Sequence, residues 1–182
     1  LEFGDTASAR DATSMSLRLR AGPKADPEEA LAFAARLRAQ AKDGRLDGNT
    51  EQLIASLHLR AAEKAMERAA VDAGDDAQKL NAVAWTCFER RIAIEAATGW
   101  ARTAVEKSGR DAQILDTLAS LLALRKHFDE AIALEVEALG RLESSDVGMS
   151  RDFQRNVATW VAARDAAKAD GAIPATKLTP PK

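Results

Sequence analysis

The fold is decided by residues 112–139, which read AQILDTLASLLALRKHFDEAIALEVEAL. In the first half of this stretch, apolar residues recur at spacings of three and four, which is typical of a helix with one apolar face. They are Ile114, Leu115, Leu118, Leu121 and Leu122. The pattern breaks at 124–127, and a second helix is predicted to begin near Phe128, with acidic residues in its first turn. The stretch therefore predicts a hairpin of two helices.

A similar layout lies 34 residues earlier in the chain, so that residues 78–111 and 112–145 form two copies. The correspondence is clearest in the second helix of each copy, where a large apolar residue is followed by two alanines. These residues are Phe128, Ala131 and Ala138 in the later copy and Ile94, Ala97 and Ala104 in the earlier one. Small side chains at these positions allow neighbouring helices to approach closely. The sequence thus predicts two helical hairpins packed side by side.

This spacing and pattern resemble the tetratricopeptide repeat, a helical hairpin of 34 residues. Counted from Ala112, the residues at the family's three small positions are Ala119, Ala131 and Ala138. The earlier copy departs from the family at Trp85, where a small residue is expected, and Lys126 of the later copy occupies the place of a turn glycine. The resemblance implies an all-α fold: a right-handed stack of about seven helices that ends in a capping helix.

The resemblance also implies a binding groove, because stacks of this family bind extended peptides or helices along their concave face. The family's groove positions carry mixed, mildly polar side chains in this chain. The candidate residues are Lys79, Thr86, Glu89, Arg90, Gln113, Asp116 and Ser120. The lysine–asparagine clamp that holds a C-terminal carboxylate is missing, since Ala82 and Val83 stand at those places. We therefore do not expect that mode of peptide binding.

Two short segments look like repeats that follow thioredoxin-like domains in some bacterial proteins. They are Asn81…Ala84-Trp85 and Asp116-Thr117-Leu118-Ala119. This likeness implies that the chain is the C-terminal repeat region of a larger protein. It carries no catalytic residue onto this sequence.

The remaining sequence divides into a helical domain at 26–170 and two tails. Asp26-Pro27 is a strong helix start, Asn49 is a candidate cap for a second helix, and Ser150 is a candidate cap for a capping helix at 150–169. The tail at 1–25 contains an alternating segment, 15–20. It is either a short strand that pairs with another domain or another chain, or part of a disordered tail or an extended segment on the helices. The tail at 171–182 is rich in proline and is predicted to be disordered.

Composition excludes several classes of partner. The net charge is −2 with both signs interspersed, so we do not expect nucleic acid as a partner. No apolar run is long enough for a membrane span. The chain begins Leu-Glu-Phe rather than with Met, and we expect the native N-terminus to lie elsewhere. The sequence leaves the compartment open between cytoplasm and periplasm.

Residues with catalytic or metal-binding chemistry are few. The two histidines, His58 and His127, are far apart in sequence, and Cys87 is the one cysteine. We therefore expect no metal site, no cofactor and no catalytic residue. The favoured hypothesis is a protein–protein interaction module that is not an enzyme and whose concave groove binds a peptide or partner protein. The alternatives are a self-assembling adaptor that forms a homodimer and an enzyme with a pocket between helices.

Overall fold

A computed structural model describes residues 26–39 and 46–171. Within these two ranges the chain forms seven α-helices and no strand, which confirms the all-α prediction. The helices are α1 (Pro27–Ala39), α2 (Gly48–Ala73), α3 (Ala77–Arg90), α4 (Ile94–Lys107), α5 (Ala112–Leu124), α6 (Phe128–Arg141) and α7 (Val147–Ala169). The alternating segment 15–20 and most of the C-terminal tail lie outside the described residues. None of the seven helices is long and apolar enough to cross a bilayer.

The described residues fall into two compact units, which divide between residues 68 and 69. The first unit contains α1 and most of α2, whose apolar stripes form one core. This core consists of Ala30, Phe33, Ala34 and Leu37 from α1 and Ile54 and Leu57 from α2. The Asp26 carboxylate caps α1 as predicted, because its Oδ1 accepts the backbone N–H of Glu28 at 3.0 Å.

The cap of α2 is not the predicted one. Asp47 Oδ1 accepts the backbone N–H groups of Asn49 and Thr50, both at 3.0 Å, so Asp47 takes the role predicted for Asn49. The Thr50 hydroxyl also donates to the Asp47 carboxylate at 2.6 Å. Asp47 and Asn49 both have a side-chain oxygen that could cap this helix. Asp47 lies just before the first turn, where its carboxylate accepts two of the free backbone N–H groups at the start of the helix.

The second unit contains the two hairpins and the last helix. Each helix from α3 to α7 packs against the next one in the chain, and α3 also packs against α5. The contacts between helices depend on small residues that are fully buried. They are Ala84, Ala97, Ala101, Ala104, Ala119, Ala131 and Ala138. This is the packing that the alanine pattern predicts.

The turns within the hairpins contain left-handed residues other than glycine. Lys126, between α5 and α6, has φ +65°, and Arg91 and Ala93, between α3 and α4, have φ +57° and +46°. A side chain with a Cβ atom is strained in this region, where glycine is not. Lys126 therefore adopts the conformation of a turn glycine although it is a lysine.

Helix α7 begins at Val147 rather than at the predicted cap Ser150. It packs against α6, but Phe153 is its one buried residue. Its C-terminal half is held by ion pairs, because Arg164 and Lys168 both lie near Asp129 of α6, at 3.4 Å and 3.6 Å. These pairs are partly exposed, so each contributes little.

Candidate functional site

A cavity of about 480 Å³ lies between α3, α5 and the first half of α7 in the second unit. Its volume falls in the range of ligand pockets, and it is open to solvent along one side. Three helices that are distant in sequence build it, so no local segment contains the whole site.

The wall from α3 is aromatic. Trp85 and Phe88 are in contact, with ring centroids 5.1 Å apart and planes tilted by 34°. Trp85 is 37% exposed, which is unusual for the largest apolar side chain. Asn81 completes this wall, and its Oδ1 atom is buried without a hydrogen-bond partner among the described residues.

The wall from α5 is polar. Gln113, Asp116, Thr117 and Ser120 line it, and they are spaced so that they share one face of the helix. The Thr117 hydroxyl donates to the backbone oxygen of Gln113 at 3.1 Å, which satisfies it within the helix. The Gln113 amide contacts Met149 Sδ of α7 at 3.4 Å. Asp116 is therefore the ionisable side chain that α5 presents to the cavity.

A second carboxyl lies behind Asp116. Glu135 of α6 is completely buried, and it lies close enough to Asp116 for the charge of Asp116 to act on it. The Asn156 side-chain amide of α7 donates to Glu135 Oε1 at 2.9 Å and to Asp116 Oδ1 at 3.2 Å. Side chains from α5, α6 and α7 thus meet in one polar cluster, which we call the carboxyl cluster: Asp116, Glu135 and Asn156.

Burial and the neighbouring charge of Asp116 favour the protonated form of Glu135 at neutral pH. These two effects raise the pKa of Glu135 to about 8. Burial also raises the pKa of Asp116, although hydrogen bonds from Glu135 and Asn156 oppose this shift. Without a proton, Glu135 Oε2 would have no donor among the described residues. We therefore place the proton on Glu135, which donates it to the Asp116 carboxylate.

The wall from α7 contains a charge pair that is nearly neutral as a unit. Arg155 donates to Asp152 Oδ1 at 2.6 Å, and both residues line the cavity beside the buried Phe153. Because the positive charge of Arg155 balances the negative charge of Asp152, Asp116 determines the net charge of the residues that line the cavity. The ion pairs found among the described residues leave Asp116 without a cationic partner.

The structure brings together three of the seven predicted groove residues: Gln113, Asp116 and Ser120. The other four do not line this cavity. Lys79 pairs with Asp76 at 3.3 Å, the Thr86 hydroxyl donates to Ala82 O at 2.8 Å, and Glu89 and Arg90 are exposed. A role for any of the seven in binding stays a prediction.

Sequence reasoning missed Glu135 and Asn156, and it considered Trp85 only as a departure from the repeat pattern. One signal pointed to Glu135: it lies four residues after Ala131 and three before Ala138, on the buried stripe of α6. A glutamate between two buried alanines is a polar residue at a core position. No comparable local signal marks Asn156.

Cys87 is fully buried on α3. Across residues 26–39 and 46–171, no group of three or more His, Cys, Asp or Glu side chains is arranged to hold a metal ion. No protein-family model, no curated protein and no solved structure matches the chain.

Proposed function

We propose that the second unit is a non-catalytic protein–protein interaction module of tetratricopeptide-like architecture. In this proposal its hairpins form a right-handed stack, and the cavity between α3, α5 and α7 binds a peptide segment of a partner protein. The observation that carries the proposal is the exposed aromatic wall of Trp85 and Phe88, which faces a polar wall across an open cavity.

The packing of the helices supports this architecture. In addition to its own hairpin partner α4, α3 packs against α5, the first helix of the next hairpin. First helices that lie side by side produce a continuous surface along a repeat stack. The cavity lies on that surface, and three of the groove residues implied by the family resemblance line it.

The chemistry of the cavity supports binding rather than catalysis. Trp is the residue type most enriched among the side chains that dominate binding energy at interfaces, and Trp85 is accessible. Cys87, the one thiol nucleophile, is buried away from solvent. Glu135, the carboxyl behind Asp116, is completely buried and is not accessible to a substrate.

A peptide-display selection on the full chain tests the proposal. Random 12-residue peptides would be selected on immobilised protein, and their affinities would be measured for the wild type and for Trp85→Ala. Trp100→Ala is the matched control, because Trp100 lies on α4 and does not line the cavity. Circular dichroism would verify that both variants fold.

We expect peptides that bind the wild type and Trp100→Ala equally and lose at least about tenfold in affinity with Trp85→Ala. Recovery of no peptide, or of peptides that ignore Trp85, would remove the cavity as the binding site. A concentration-dependent dimer mass by sedimentation, together with no peptide binding, would instead favour the homodimer hypothesis.

A further inference from the structure

The acceptor atoms and the negative charge in the wall of the cavity favour a positively charged ligand group. We infer that the cavity receives a lysine or arginine side chain of the partner polypeptide, with its cationic head between Trp85 of α3 and Asp116 of α5. This inference rests on the proposed function, since it names the chemistry of the peptide that the cavity binds.

The first argument is that the wall of the cavity contains a hydrogen-bond acceptor without a donor. Asn81 lines the cavity, and its buried Oδ1 atom has no hydrogen-bond partner among the described residues. A buried acceptor without a donor is unfavourable. A ligand group rich in N–H donors can satisfy the Asn81 oxygen, whereas a carboxylate cannot.

The second argument is the uncompensated charge of Asp116. Its hydrogen-bond partners are the neutral amide of Asn156 and the protonated Glu135, and the nearby Asp152 has the same sign of charge. Arg155 is the cation of this cavity, but it is paired with Asp152 at 2.6 Å. A cationic ligand group therefore gains an ion pair at Asp116, while an anionic group would be repelled there.

The third argument is the aromatic wall. The face of an aromatic ring attracts cations, and tryptophan does so most strongly. The neighbouring Phe88 already has this type of contact within the protein, because the Arg91 guanidinium lies 4.8 Å from the centre of its ring. Trp85 keeps an exposed surface beside this pair. The aromatic wall thus has one ring that is covered by a cation and a second that is available.

A lysine or arginine side chain also fits better than the other cations. Across the described residues no cluster of side chains has the arrangement that a metal ion requires. A long aliphatic stem can lie along the ring of Trp85 while its charged head reaches Asp116. The cavity offers both kinds of contact, apolar and acidic, within about 480 Å³.

The test uses those selected peptides that bind the wild type but bind Trp85→Ala more weakly. We expect them to be enriched in lysine or arginine over the unselected library. Replacing the shared basic residue of one peptide, lysine by norleucine or arginine by citrulline, should lower its affinity for the wild type at least about tenfold by titration calorimetry. This step compares two peptides on the wild-type protein, so its outcome does not depend on whether any further protein variant folds.

The protein side of the test is Asp116→Asn, which keeps the shape of Asp116 and an oxygen that accepts from Asn156, and removes the charge. In this variant the basic peptide and its neutral form should bind within about threefold of each other. Glu106→Gln, on the exposed face of α4, is the control with the same change in net charge and should retain the full difference. Peptides that depend on Trp85 but contain no basic residue would overturn the inference and leave the proposed function intact. A selection that yields no Trp85-dependent peptide would overturn the proposed function, and this inference with it.

Discussion

The Asn156 side chain of α7 donates a hydrogen bond of 2.9 Å to the completely buried Glu135 of α6. The same nitrogen lies 3.2 Å from Asp116 of α5. One amide group therefore ties the last helix to both helices of the preceding hairpin. Since α7 buries little apolar surface, this polar contact is a main determinant of its position.

Replacement of Asn156 by leucine should destabilise the protein by about 1–3 kcal/mol, because two buried carboxyl oxygens lose their donor. The free energy of unfolding would be measured by urea denaturation at pH 7. Gln154→Leu is the control, since Gln154 is exposed on the same helix and bonds the Ser150 hydroxyl at 3.3 Å. Equal effects of the two substitutions would show that the carboxyl cluster does not hold α7.

The protonation of Glu135 should make stability depend on pH. In the unfolded chain its pKa is the ordinary 4.5, and in the folded protein the pKa is raised to about 8. Between these values the folded state retains a proton that the unfolded state has released, so the free energy of unfolding falls as pH rises from 4.5 to 8. Asp116, Asp152 and Arg155 are the neighbouring charged groups. Asp116 opposes ionisation of Glu135, and Asp152, which is paired with Arg155, raises the pKa of Asp116.

Glu135→Gln should remove this dependence, because its amide keeps one acceptor for Asn156 and supplies a donor for Asp116 without ionising. The free energy of unfolding of the variant minus that of the wild type should therefore increase by about 1–3 kcal/mol as the pH is raised from 5 to 9. Urea denaturation of both proteins at pH 5, 7 and 9 measures the difference. Parallel pH profiles would mean that Glu135 is ionised in the folded protein at neutral pH.

Lys126→Gly should stabilise the protein, because the residue has φ +65° in the turn between α5 and α6. Glycine adopts this left-handed conformation without the strain that a Cβ atom causes. This effect exceeds the cost of the greater freedom of glycine in the unfolded chain, so we expect a gain in stability of up to about 1 kcal/mol. Thermal denaturation measures it. Glu106→Gly in the exposed face of α4 is the contrasting control and should lose about 1 kcal/mol. A loss at both positions would contradict the left-handed turn.

Ala131→Trp should destabilise the second unit by at least about 1–3 kcal/mol. Ala131 is completely buried at the contact between helices, so a larger side chain there would overpack the core. Ala133→Trp is the matched control on the same helix, since Ala133 is exposed. The two melting temperatures would be compared by calorimetry. If both variants melt at the wild-type temperature, the close approach of α6 to its neighbours is not a source of stability.

Local patterns predict much of the helical structure and little of the cavity. The break at 124–127 and the start at Phe128 agree with the bounds of α5 and α6, because the apolar period and the turn are both contained in a few residues. Helix starts were less predictable where several cap residues lie close together. Asp47 replaces Asn49 for this reason, and α7 begins at Val147 before Ser150.

The cavity was harder to predict because it depends on contacts between distant segments. Asp116 and Asn156 are 40 residues apart, and no spacing rule relates them. The resemblance to a repeat family directed attention to one face of α5, and Gln113, Asp116 and Ser120 do line the cavity. It also assigned Trp85 to a small packing position, so the aromatic wall was interpreted as an irregularity of the repeat.

The single buried residue of α7 has a consequence for hydrogen exchange. Helix α5 contains nine buried residues, whereas α7 contains Phe153 alone. Amides in elements with few buried contacts exchange through local opening, at lower free energy than global unfolding. The amides of α7 should therefore exchange first and those of α5 last, so that the third wall of the cavity detaches while the hairpins stay folded.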